Sequence, residues 1–141
     1  MIYKGLEKLK GTKSVEEINT GILANIPFTK DELKQKGVFI FGVGKLGQRV
    51  YDFLISANIK VYAFVDNNAE KQKHTFNDLP VIPSADLKKD AIVYIASATY
   101  FNPIYKQLLK QGLVNLMSHL QAGIMFYGEK NFPTEMYQEH L

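Results

Sequence analysis

Val38-Phe39-Ile40-Phe41-Gly42-Val43-Gly44-Lys45-Leu46-Gly47, running on into Gln48-Arg49-Val50-Tyr51-Asp52-Phe53-Leu54, is the stretch that decides the fold. Four consecutive apolar residues set between Gly37 and Gly42 have the length and composition of a strand buried on both faces. The period then changes. Leu46, Val50, Phe53 and Leu54 lie three or four apart and share one face of a helix expected over 45–57. A second apolar run, Ile59 to Val65, completes a βαβ unit of ordinary length.

The turn inside this unit is a complete G-x-G-x-x-G, and its position between strand and helix gives each glycine a task. Gly42 permits the tight turn, Gly44 lets the backbone approach a phosphate, and Gly47 allows close helix-to-strand packing. Amides at the helix start and the macrodipole would supply the anion site, so Gly42, Val43, Gly44, Lys45, Leu46 and Gly47 are the first candidate cofactor-binding residues. The plainer alternative is a tight strand-to-helix turn with no ligand. Asp66 stands at the end of the second strand, 19 residues after Gly47, where dinucleotide folds place a carboxylate on a ribose hydroxyl. Asn67 follows it, no arginine does, and the nearest cation is Lys71, which favours NAD over NADP if either binds. Asp66 or Asn67 could equally cap a short helix that includes Glu70.

Beyond this unit the alternation continues as it does in a parallel sheet covered by crossover helices. A short strand is expected at Val81-Ile82, a fourth at Ala91 to Ala96, a helix capped by Asn102 and Pro103 and stopped by Gly112, and a fifth strand at Val114 to Met117. Five strands give a Rossmann-like, doubly wound α/β sheet of order 3-2-1-4-5. The fourth strand runs into Ser97-Ala98-Thr99-Tyr100 at the carboxyl edge. Ser97 and Thr99 are therefore further candidate ligand contacts, against the alternative of a loop that hydrogen-bonds itself. Upstream, Ser14 and Glu17 have capping-box spacing for a helix striped by Val15, Ile18, Ile22 and Ile26 and ended by Pro27. Thr29 and Glu32 repeat the signal for a short helix ending at Gly37. The division is a helical preface over 1–36, a nucleotide-binding domain over 37–122, and an aperiodic tail or linker over 123–141.

Composition excludes several classes. The 141 residues include no cysteine, which removes disulfides, thiolate nucleophiles and zinc-cysteine sites and fits a reducing, cytoplasmic setting. A surplus of 17 basic over 14 acidic residues, dispersed along the chain, does not describe a nucleic-acid surface. No run reaches the roughly 18 apolar residues of a membrane span. His74, His119 and His140 lack metal-ligand spacing, although His119, just past the fifth strand, could lie near the ligand edge. Gly-Lys-Ser/Thr is absent, so the loop is no Walker P-loop, and none of the eight tyrosines has lysine four residues on, as the acid-base pair of short-chain epimerases requires. Ile40, two positions before the first loop glycine, stands where methyltransferase folds commonly carry an acidic residue.

The segments 38–47, Ala63-Phe64-Val65-Asp66-Asn67-Asn68, Leu79-Pro80-Val81-Ile82-Pro83 and Ile92-Val93-Tyr94-Ile95-Ala96-Ser97 together resemble the Rossmann-like domains of bacterial surface-polysaccharide enzymes. Those domains precede sugar acetyltransferases, nucleotide-sugar epimerases and dehydratases, and some FkbM-type methyltransferases. The resemblance covers residues 37 to 120. It implies polysaccharide biosynthesis, binding of a nucleotide or nucleotide-sugar at Gly42, Gly44, Gly47 and Asp66, and catalysis housed in another domain, which would follow the linker near Pro133. The sequence departs from the family in showing no acetyltransferase repeat.

Three functions stay in play at this point. One is a module binding a nucleotide or nucleotide-sugar. Another is an NAD-dependent oxidoreductase or epimerase domain, which would draw its proton transfer from Ser97, Thr99, Tyr100 or His119. The third is a scaffold that binds only protein and shows an exposed apolar edge. The base, the sugar and the existence of a homo-oligomer have no readable code.

Overall fold

The computed structural model describes residues 25–97 and 100–134. The helix expected from Ser14 falls largely on residues outside that range, as does Thr99. Thr29 caps the first described helix, α1 (Lys30–Lys36). Its hydroxyl accepts from the Glu32 amide while the Glu32 carboxylate accepts from the Thr29 amide, which is the reciprocal pairing the sequence suggests. Gly37 ends α1 and leads into β1 (Val38–Phe41), α2 (Lys45–Ser56) and β2 (Val61–Val65).

The helix α2 stops without a glycine. Asn58 takes φ +62°, its amide donates to Ile55, and the amide of Ile59 reaches back to Leu54. This is a Schellman ending, and Ile59 and Leu54 are both buried beneath it. Gly112 closes α3 (Phe101–Lys110) in the same way, with Leu113 bonded back to Leu108. Each ending turns its chain straight into the strand that follows.

Among the described residues, six strands form one sheet. Besides β1 and β2 these are β3 (Thr75–Phe76), β4 (Leu79–Ile82), β5 (Val93–Ile95) and β6 (Leu116–Ser118), in the order β3-β4-β2-β1-β5-β6. Every pairing is parallel except β3 with β4. Five expected strands thus become six. The extra one belongs to a hairpin whose two turn residues, Asn77 and Asp78, both have positive φ, as a type I′ turn requires. Two residues of β1 oppose three of β2 between Val38 and Ile40, so Val61 and Phe64 face the same core although they are three apart.

Apolar residues cover both faces. On one, Val38, Ile40, Val61, Phe64, Tyr94 and Met117 pack under α2, α1 and a further helix, α4 (His119–Met125). On the other, Phe41, Val65, Val93, Ile95 and Leu116 meet Leu108 and Leu113 from the α3 end, and Leu87 from the link between β4 and β5. That link holds only a single 3-10 turn, Ser84–Asp86, instead of a helix.

Three expectations are corrected. The helix α3 begins at Phe101 with Tyr100 at the cap, so Asn102 and Pro103 lie inside its first turn, where a missing amide hydrogen costs no intrahelical bond. The last strand starts at Leu116 instead of Val114. The stretch beyond 122 is no aperiodic linker over its described part, because α4 runs to Met125 and Phe126 and Phe132 are buried in the main core. Phe132 meets Phe53 edge-on and stacks on His119, and Lys30 lies over the Phe126 ring while pairing with Glu129. Partial burial, and after it Lys34, push the Lys30 ammonium below the ordinary lysine pKa.

Candidate functional site

Parallel strands bring their carboxyl ends to one edge, and three of them deliver the candidate residues there. The Gly42 amide donates to the carbonyl of Val65 (2.8 Å), the Ala96 amide to Phe41 (2.9 Å), and the Asp66 amide to Ile82 (3.0 Å). The glycine loop after β1 therefore lies between the Asp66 loop after β2 and the Ser97 loop after β5.

The three loop glycines stand in different surroundings. Gly42 has φ +117°, and a Cβ there would come within 3.1 Å of the Ala96 carbonyl oxygen. A Cβ on Gly47 would lie 2.0 Å from the Gly42 carbonyl oxygen, so helix and turn touch through this position. Gly44 faces open space, with no heavy atom within 4 Å of a Cβ built on it, and its backbone is extended at φ −74°.

Gly44 is the N-cap of α2, and no side chain caps that end. The first amide to bond within the helix is that of Gln48, to Gly44 (3.1 Å). The amides before it have no acceptor inside the helix and project from its start. No acidic residue stands in this first turn, whose exposed Lys45 is disfavoured by the helix dipole unless an anion is nearby. Val43 and Leu46 point into the core and can offer a ligand only backbone, and the Val43 carbonyl is already bonded to Gln48 Nε2.

On the neighbouring loop after β2, Asp66 Oδ1 accepts from the Asn68 amide (2.9 Å) and Oδ2 lies 3.7 Å from Lys71 Nζ. Neither Asp66 nor Asn67 caps a helix here: the 3-10 turn that follows, Lys71–Lys73, has Glu70 as its N-cap with no side-chain cap bond, and Asn68 Oδ1 accepts from the amides of Glu70 and Lys71 at its start. Asn67 turns the other way and accepts from the Ser84 amide (2.9 Å). Ser97 Oγ accepts from the Tyr100 amide (3.1 Å), which is the loop-closing role weighed against ligand contact.

His119 is buried away from any such role. Its Nδ1 is 2.5 Å from the Tyr94 hydroxyl and its Nε2 3.3 Å from the Pro133 carbonyl. The carbonyl can only accept, so Nε2 carries a hydrogen. Nothing in the spacing of Tyr94, His119 and Pro133 forecast this buried pair. Among the described residues no three of His, Asp and Glu gather as a metal site, and no helix is long and apolar enough to cross a membrane.

A family model matches residues 34–115, more than half of the chain. The chain belongs to the family described as C2185-like, N-terminal. The C2185-like match takes in the glycine loop, Asp66, Asn67 and Ser97, and it ends just before β6. No curated protein matches the chain.

Proposed function

We propose that this C2185-like chain is a Rossmann-type nucleotide-binding module in which the parallel strands run 3-2-1-4-5 and the Gly42–Gly47 loop takes the phosphates of a nucleotide or nucleotide-sugar. One observation carries the reading: the uncapped start of α2 opens at Gly44 onto empty space, while its neighbours Gly42 and Gly47 are filled against backbone. An anion there would accept from projecting amides, meet the positive end of the dipole and lie beside Lys45. Asp66, on the adjacent loop after β2, would accept from a sugar hydroxyl with the Oδ2 oxygen that faces Lys71. Service to a sugar-modifying enzyme of surface polysaccharides belongs to the same proposal and rests on the sequence resemblance.

Binding without chemistry is favoured over hydride transfer. Ser97 and His119, two of the groups that would have to move a proton, are bonded within their own loops or buried against Pro133. The scaffold reading has one observation of its own, the exposed Tyr105, Leu109 and Val114 on and beside α3 near the β6 edge.

The test is thermal unfolding of the full chain against NAD, NADP, S-adenosylmethionine, coenzyme A and several nucleotide-sugars at millimolar concentration. A ligand at 100 times its Kd adds about 2.7 kcal/mol, which raises Tm by several degrees. A rise with a nucleotide-sugar supports the module, a rise with NAD alone moves the assignment to an oxidoreductase, and no rise with any of them leaves the scaffold.

A further inference from the structure

Ser84 and His119 are the two polar residues buried among the described residues, and Ser84 is held in an unusual way. Its amide donates to Asn67 Oδ1 (2.9 Å), its Oγ accepts from Gln107 Nε2 (2.9 Å), and its carbonyl accepts from Gln111 Nε2 (3.0 Å). Three side-chain amides thus converge on one residue, from the loop after β2, from the last turns of α3 and from its C-cap Gln111. Gln107 Nε2 also reaches Gln111 Oε1 (3.2 Å), and Asn67 Nδ2 faces Gln107 Oε1 at 3.5 Å.

The placement explains the need. The link from β4 to β5 has no helix to pack against the sheet, so its first residues are located by these bonds instead. A buried hydroxyl and amide are costly unless bonded, and neutral amide partners keep their strength at any salt concentration or ordinary pH. The loop after β2 is the other party to the bargain: Asn67 fastens it to Ser84, and through Ser84 to α3. Asp66, one residue earlier, then holds the Asn68 amide on a loop tethered at Asn67.

We infer that Asn67, Ser84 and Gln107 form a positioning network that fixes the Asp66 carboxylate opposite the glycine loop. The network itself is independent of any ligand, whereas its consequence for binding rests on the function proposed above.

The experiment measures two things on the full chain and on Asn67→Ala and Gln107→Ala. One is hydrogen exchange at the Asn68 amide, referred to the amide of Val93 in the central sheet. The other is Kd for uridine diphosphate and adenosine diphosphate. Losing one hydrogen bond corresponds to about tenfold in an equilibrium constant, so Asn68 exchange should rise about tenfold in Asn67→Ala, and less in Gln107→Ala, with Val93 unchanged. Kd should weaken by a similar factor. Unchanged exchange at Asn68 overturns the network whatever the affinities show, and so does a rise at Asn68 matched equally at Val93, which marks a merely structural role. If exchange rises locally while the diphosphates bind all forms with equal Kd, the network stands as a loop anchor but its positioning role is overturned. If neither diphosphate binds the unaltered chain, phosphate binding falls, and the exchange ratio alone decides the network.

Discussion

A methyl group on Gly47 would lie 2.0 Å from the Gly42 carbonyl, and one on Gly44 would meet nothing within 4 Å. The two glycines therefore answer different demands, and substitution separates them. Gly47→Ala forces α2 off the turn and should lower stability by about 3 kcal/mol, seen as a Tm fall on the order of 10 °C. Gly44→Asp should do the opposite to stability, since aspartate is a better N-cap than glycine by a few tenths of a kcal/mol and suits the helix dipole. It should nevertheless weaken phosphate binding at least about tenfold, by placing a carboxylate where the anion belongs. Calorimetry and ligand titration on the same two variants check both outcomes. Sequence spacing alone gave Gly47 its packing task, because the backbone it meets, at Gly42, lies five residues away. Ser84 gave no such signal, for its partners Asn67, Gln107 and Gln111 lie 17, 23 and 27 residues off and meet it only through the sheet.

Elements were legible where their ends carry chemistry. Thr29 and Glu32 announce α1, and Thr29→Ala should cost about 1 kcal/mol in urea unfolding by removing one side of the box. Ser118 and Gln121 carry the same signal for α4, whose side chains also bond reciprocally, but Ala122, Gly123 and Ile124 are all buried and leave no polar stripe to read. Two-residue β3 is too short to show alternation, and only the turn residues Asn77 and Asp78 could have revealed it. The start of α3 is hard to read from Pro103, which is tolerated anywhere in a helix's first turn and not only at its first position. At the far end of α2, Asn58 carries a left-handed conformation that glycine more often fills. Asn58→Ala should destabilise by about 1 kcal/mol, and Asn58→Gly should not, as paired denaturation curves would show.

At the scale of the whole molecule, among the described residues, one sheet is covered by α1, α2, α4, Phe126 and Phe132 on one face, and by α3 and a helix-free link on the other. Phe132 closes the first core over Phe53, Phe126 and His119, and Phe132→Ala should lower stability by about 3 kcal/mol with the loss of these ring contacts. Parallel order brings the Gly42, Asp66 and Ser97 loops to a single edge, and that convergence is the basis for reading a ligand cleft there. The most direct test is an NMR titration of the isotope-labelled full chain with uridine diphosphate and adenosine diphosphate, following every backbone amide. Saturable shifts largest at Gly44, Lys45, Leu46 and Gly47, and abolished in Gly44→Asp, are the predicted result. Shifts centred elsewhere, or equal shifts in the variant, would contradict phosphate binding at the start of α2.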